Sequence, residues 1–220
     1  MGTIIISGPG ESVNVGKIFC VGRNYAGHTA EMKAEAPPEP VIFLKPPSAI
    51  VHSPDPIVRP AFSGEMHHEV ELVVAIGSGV KNISEHAAAG VILGFGVGLD
   101  MTLRDVQSIA KQKGLPWTIA KGFDTSAPVS DIIPADPARP VPAFDLVCRV
   151  NGEERQRGST SEMLFSIPYL IHYLSTIFTL EKGDLIFTGT PPGVGPVDPG
   201  DVIEAGLTGY VSIRHPVISA

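Results

Sequence analysis

Three acidic residues stand where the sequence otherwise builds an apolar interior. Glu69 and Glu71 lie two apart in HHEVELVVAIG (67–77), and Asp100 ends GVILGFGVGLD (90–100). On a strand, side chains two apart share a face, so Glu69 and Glu71 point together with Val73, while Val70, Leu72 and Val74 fill the other face. Apolar residues on both faces mark a buried strand rather than a half-wet edge, and an unpaired carboxylate is costly to bury. Three such groups suit a hard divalent cation: all-oxygen ligation selects Mg2+, Mn2+ or Ca2+ over zinc, and the ion removes the repulsion between like charges. His67 and His68 raise zinc as an alternative, but no H-E-x-x-H, C-x-x-C or second histidine cluster supports it. The pair reads instead as solvent-facing loop histidines, or one of them as a donor to a ligating carboxylate.

Two further features have chemical potential. His28 and Glu31, three apart, share a face of any helix they occupy, and a carboxylate beside an imidazole makes a general base. Lys121 follows the apolar stretch PWTIA and precedes a turn; it is either a snorkelling surface lysine or a cation aimed at negative charge in a cleft.

The elements that must position these residues are short. TIIIS, KIFCVG and VIFLKP read as strands, with RNYAGHTAEMKAEAPPEP (23–40) as a surface excursion between the second and third. Its HTAEMKAEA portion is expected to be a short helix ended by Pro37 and Pro38, and the segment from about 24 to 38 is of the kind that serves as a lid. Helices are expected around 84–90, over LRDVQSIAKQKG behind a Thr102–Asp105 capping box, and over SIPYLIHYLSTIF. A hairpin turns at Asn151-Gly152, and short strands fill 185–219. GFGVG (94–98) leads into LDMT rather than opening a helix, so it is no nucleotide fingerprint; TGTPPGVG (188–195) lacks the Gly-Lys-Ser/Thr of a P-loop.

Composition sets the frame. With 43% hydrophobic and 18% charged residues the 220-residue chain is globular, and 24 glycines with 21 prolines favour turns over long helices. No basic stripe accompanies the net charge of −7, which excludes nucleic acid and anionic membrane as natural partners. Cys20 and Cys148, each in an apolar run, read as reduced core residues, and no targeting or membrane-length segment is visible. The expectation is one soluble domain over 1–220, cytoplasmic or in an organelle matrix, with a short N-terminal strand region (1–16).

VGRNYAGHTAEM, VIFLKPPSAI, HHEVELVVAIG, LDMTLRDVQ, KGLPWTIAKGFD, FSIPYLIHYLSTIFTLEKGDLIFTGTPPGVGPV and GDVIEAGLTG occur in that order. Together they resemble the fumarylacetoacetate hydrolase superfamily, and most closely its short single-domain acylpyruvate hydrolase branch, which also shows oxaloacetate decarboxylase activity. The resemblance implies an α+β, predominantly β fold, a mixed β-roll or sandwich with a few short helices, in a homodimer. It implies Mg2+ or Mn2+ on Glu69, Glu71 and Asp100, with Ca2+ able to replace them in crystals. His28 and Glu31 become a catalytic dyad on the lid, and Lys121 a cation stabilising negative charge in the cleft. Arg104 and Gln107 would hold the acid end of a small 2-oxo acid, with Arg23, Lys45 and Thr190 lining the pocket. Gly122 departs from the serine common in relatives and would loosen the loop that holds Lys121. The reaction expected is hydrolysis of a carbon–carbon bond in a 2,4-dioxo acid to pyruvate and a carboxylic acid, with His28 activating water and lid closure completing the dyad. Oxaloacetate decarboxylation and keto–enol tautomerisation follow the same metal–enolate logic. A non-catalytic dicarboxylate-binding protein is the alternative outside enzymes.

Overall fold

The computed structural model describes residues 2–8, 10–31 and 35–220, apart from the side chains of 29 and 30. Its centre is a six-stranded mixed sheet in the order Ile133–Pro134, Ile92–Leu99, Val70–Ile76, Leu185–Phe187, Ile18–Gly22, Val41–Lys45. A five-stranded sheet runs Glu153–Ser159, Asp145–Val150, Val202–Leu207, Val211–Ser219, Ile57–Arg59. This is the β-dominated α+β architecture expected from the sequence.

Alternation along Val70–Ile76 explains how the layers meet. Val70, Leu72, Val74 and Ile76 pack into one cluster with Leu146, Cys148, Ile203 and Ile213 of the five-stranded sheet and Leu170, Ile171 and Leu174 of the helix Ile167–Ile177. Val73 and Ala75, on the opposite face, join Ile4, Val13, Ile18, Cys20 and Phe187 in a second cluster. A strand buried on both faces has no room for solvated acids, so Glu69 and Glu71 need partners.

The glycines of GFGVG serve this packing. A Cβ at Gly94 would lie 2.2 Å from the Ile133 carbonyl, at Gly96 2.8 Å from Ser130 Oγ, and at Gly98 2.6 Å from the Phe187 ring. The run lets neighbouring backbone and side chains close on one face of the strand Ile92–Leu99.

Several local expectations hold. Asp145–Val150 and Glu153–Ser159 pair antiparallel about Asn151 (φ 54°) and Gly152 (φ 83°), the positive angles a two-residue hairpin turn requires. Ser166 caps Ile167–Ile177 by accepting from the Tyr169 amide, with Pro168 in the first turn. Cys20 and Cys148 are buried free thiols. Glu85–Val91 is a 3-10 helix. The helix Arg104–Lys113 ends at left-handed Gly114, but the Thr102–Asp105 capping box does not form. Thr102 is in a strand, its hydroxyl donating to the Asp100 carbonyl, and Asp105 accepts instead from Ser63 Oγ and the Gly64 amide. Tertiary partners outcompete the local cap.

Candidate active site and metal centre

Register brings the acids together. Glu71 pairs with Gly98 across the antiparallel strands, and the Asp100 amide donates to the Glu69 carbonyl. Residues 98 and 100 share a face, as do 69 and 71, so the three carboxylates meet on one face where these strands end. One ligand oxygen from each lies within 4.8 Å of the others, and all three side chains are buried.

Cations surround them. Lys121 Nζ lies 2.8 Å from Glu69 Oε2 and 2.6 Å from Asp100 Oδ2. Arg104 reaches Glu69 Oε1 at 2.5 Å and donates to Gln107 Oε1 at 2.8 Å. Lys45 Nζ sits 2.8 Å from Asp100 Oδ1, though not aligned for a hydrogen bond, and donates to the Met101 and Lys121 carbonyls. Lys121 is therefore neither a snorkelling nor a loosely held residue. It ends the helix Thr118–Lys121, its carbonyl accepts from Ser126 Oγ, and Gly122 caps the turn by donating to the Thr118 carbonyl. Both contacts form with glycine at position 122.

The electrostatics divide the triad. Burial alone would raise the pKa of Glu69, but Lys121 and Arg104 hold it well below the usual carboxylate range. Glu71 has no ammonium or guanidinium contact among the described residues; it accepts from the Gly189 amide at 2.7 Å. Burial, then the charges of Asp100 and Glu69, push its pKa well up. Lys121, which burial would lower, is raised by Asp100 and Glu69. A deprotonated Glu71 thus needs further positive charge, and Asp100 Oδ1 is a buried acceptor without a hydrogen bond. That donor set fits a hard divalent cation.

The remaining residues frame a cleft of about 570 Å³, open mouth included, over this end of the sheet. His28, 7% exposed, contributes to its wall; Nδ1 lies 3.4 Å from Glu31 Oε2 within the helix Ala26–Glu31. Glu31 also accepts from the Gly193 amide, tying this helix to the loop after Leu185–Phe187. Of the segment expected as a lid, 32–34 lie outside the described residues. Arg23, Arg104, Gln107 and Thr190 line the cleft; Lys45 does not, and stands beneath Asp100 as its counter-charge. Its alkyl stem follows Phe43 on the strand Val41–Lys45, so the ammonium reaches the acid from inside the core.

His67 and His68 differ from expectation. Both lie on the strand Met66–His68, the middle of a three-stranded sheet, rather than on a loop. His67 bonds to Glu65, and buried His68 to Gln156 Oε1 at 2.9 Å; neither contacts a triad carboxylate directly.

Other residues around the site carry no local sequence signal. Gln156 spends its whole carboxamide here: Oε1 accepts from His68 and the Val70 amide, while Nε2 donates to Thr190 Oγ1 and the Pro191 carbonyl. Thr190 Oγ1 in turn donates to the Val70 carbonyl, fixing the 188–191 loop beside Glu71. Gly189 takes φ 98°, and a Cβ there would meet Asn24 at 2.7 Å. Asn24 joins Thr188 and Phe165 at the base of the His28 helix. Phe43, Lys111 and Trp117 complete the cleft. The one available signal was helical spacing, since Lys111 follows Arg104 and Gln107 on the same helix face.

Comparison with known proteins identifies the family. The model of the fumarylacetoacetate (FAA) hydrolase C-terminal family matches residues 17–218. The human mitochondrial oxaloacetate tautomerase FAHD1 is 50% identical over 200 residues, covering 91% of this chain and 90% of its own. The mitochondrial oxaloacetate decarboxylase of Dictyostelium discoideum is 50% identical over 194 residues, covering 88% and 89%. The crystal structure of fumarylpyruvate hydrolase from Pseudomonas aeruginosa in complex with Mn2+ and pyruvate superposes with a TM-score of 0.94 at 38% identity, over 99% of this chain and 96% of that one. With a buried acid triad at the sheet end and a family match across nearly its whole length, the chain belongs to the fumarylacetoacetate hydrolase family of enzymes.

Proposed function

We propose that this enzyme interconverts the keto and enol forms of oxaloacetate, with Mg2+ or Mn2+ held by Glu69, Glu71 and Asp100. The observation that carries the reading is an imidazole backed by a carboxylate, His28 and Glu31, in the wall of the cleft that contains the triad. The cation, when bound, supplies Lewis acidity to a chelated 2-oxo acid. Glu31, accepting from Nδ1–H, leaves Nε2 of His28 as the basic nitrogen. His28 takes a proton from C3 and returns it to the C2 oxygen, so atoms and charge balance without a co-reactant. Lys121 gives two of its three N–H groups to Glu69 and Asp100, keeping one for the oxygen on which negative charge grows. The similarity to the tautomerases supports this choice among reactions.

Acylpyruvate hydrolysis, expected from the sequence, is the second reading. The likeness to fumarylpyruvate hydrolase favours it. There His28 would deprotonate a water that attacks the distal carbonyl, and the enolate of pyruvate would leave with the bond electrons. A non-catalytic binder has no support among these relatives, which are enzymes.

The experiment follows three reactions of one Mn2+-loaded preparation: ketonisation of enol-oxaloacetate by its absorbance, pyruvate released from oxaloacetate, and loss of acetylpyruvate. Accelerated ketonisation exceeding the other two is expected. Faster turnover of acetylpyruvate would replace the first reading by the second. The homodimer and the cytoplasmic location stand as further proposals. The first is supported by Leu44 and Leu115, exposed along one groove beside the edge strand Val41–Lys45, and light scattering measures it. No helix among the described residues is long and apolar enough to cross a membrane; several relatives are named mitochondrial, so fractionation of cells tests the second.

A further inference from the structure

The positive groups of the cleft fall into two sets. Lys121 is committed to Glu69 and Asp100, Arg104 to Glu69 and Gln107, and Lys45 to Asp100 from outside the cleft. Glu69 and Asp100 are thus paired with three cations before any metal arrives, and Glu71 with none. Lys111 and Arg23 are different: both line the cleft, and neither has an ion pair or hydrogen bond to a side chain among the described residues. Lys111 extends the face of Arg104–Lys113 that carries Arg104 and Gln107, at spacings of three and seven residues. Its ammonium lies over Trp117, with Nζ 5.3 Å from the ring centroid. Arg23 holds φ 61°, a left-handed conformation that a non-glycine residue adopts at a cost.

We propose that Lys111 and Arg23 form a subsite for the distal carboxylate of the substrate, so that the enzyme selects 2-oxo dicarboxylates over 2-oxo monocarboxylates. The inference rests on the reading of the site as one for 2-oxo acids. On Arg104 or Lys121 a second carboxylate would share positive charge already committed to Glu69. Lys111 and Arg23 carry charge that no carboxylate among the described residues shares. Burial, followed by repulsion from Arg104 and Arg23, lowers the pKa of Lys111, and a bound carboxylate would relieve that crowding.

The test uses Mn2+-loaded protein and two unreactive ligands sharing a 2-hydroxy acid head, (S)-malate and (S)-lactate, of which only malate carries a distal carboxylate. Each is titrated by calorimetry and assayed as a competitive inhibitor. Wild type should bind malate at least tenfold more tightly than lactate. Lys111→Met, which keeps an unbranched apolar stem but removes the charge, should lose about tenfold in malate affinity, equivalent to about 1.4 kcal/mol. Lactate and Mn2+ affinities should stay within twofold, and Lys111→Arg should retain malate binding. Equal weakening of both ligands, no change in either, or no preference in wild type would overturn the subsite. If wild type discriminates the ligands but does not act on oxaloacetate, the reaction proposed above falls and the subsite stands. If it turns over oxaloacetate without discriminating, the subsite falls alone.

Discussion

Lys45 offers the sharpest test of how the charges are balanced. Its side chain is completely buried, and its ammonium meets Asp100 Oδ1 at 2.8 Å and the Met101 carbonyl at 3.2 Å. Lys45→Met keeps nearly the same shape but removes the charge and the donors. Asp100 retains Lys121, and the Lys121 carbonyl retains Ser126 Oγ, so the loss centres on one uncompensated charge and the Met101 carbonyl. Breaking a buried ion pair from one side costs about 3 to 5 kcal/mol. Urea unfolding in the presence of a chelator should show that deficit as a lower midpoint at unchanged slope.

Metal should then shrink the deficit. Without Lys45 the triad carries one more unbalanced negative charge, so the variant should bind Mn2+ more tightly than wild type does. Binding to the folded state alone stabilises by about 2.7 kcal/mol at a hundredfold excess over Kd. A tenfold tighter site adds about 1.4 kcal/mol at the same free metal concentration. The gap between variant and wild type should therefore close by that amount when Mn2+ replaces chelator. A variant as stable as wild type in chelator, or a deficit unmoved by saturating Mn2+, would refute the reasoning.

The other predictions concern the same network. In metal-free protein the raised pKa of Glu71 means that the unfolded chain loses this proton first, so its contribution to stability falls as pH rises above the ordinary value of 4.5. Glu69, with its pKa depressed, contributes stability that is present above 4.5 and lost as pH falls below it. Buried His68 and His215 have lowered pKa values and so add stability with rising pH up to about 6.5, opposing Glu71 in that range. Glu71→Gln isolates the effect: in chelator near pH 8 it should unfold at higher urea than wild type, yet gain nothing from Mn2+, and an unchanged midpoint would count against the assignment. His28→Ala should lower kcat by about 10²- to 10⁴-fold and Glu31→Gln by less, both leaving the Mn2+ affinity measured by calorimetry unchanged. Gln156→Leu strands the buried hydrogen-bonding groups of His68, Val70 and Thr190 and should cost about 2 to 4 kcal/mol in urea unfolding.

These residues also mark how far the sequence could be read. The triad was legible because two-residue spacing assigns faces and carboxylates among apolar residues demand an ion. His28 and Glu31 were legible as a local pair. Their joint location was not a local property: it depends on register, with Glu71 opposite Gly98, and on Leu185–Phe187 lying between Val70–Ile76 and Ile18–Gly22. The Thr102–Asp105 box failed for the same reason, because Ser63 and Gly64, some forty residues away, supplied better partners. Yet the number of missing partners could be argued before their identity. Three buried carboxylates require comparable positive charge, and one divalent ion leaves a deficit that an anionic substrate would deepen. Lys45 ends an apolar strand, VIFLK, on the face of Phe43. A cation on that inward-facing parity is as costly as an acid on it, unless the two meet. The pairing of Lys45 with Asp100 answers both anomalies at once, so its removal tests the energetic logic of the whole site rather than one contact.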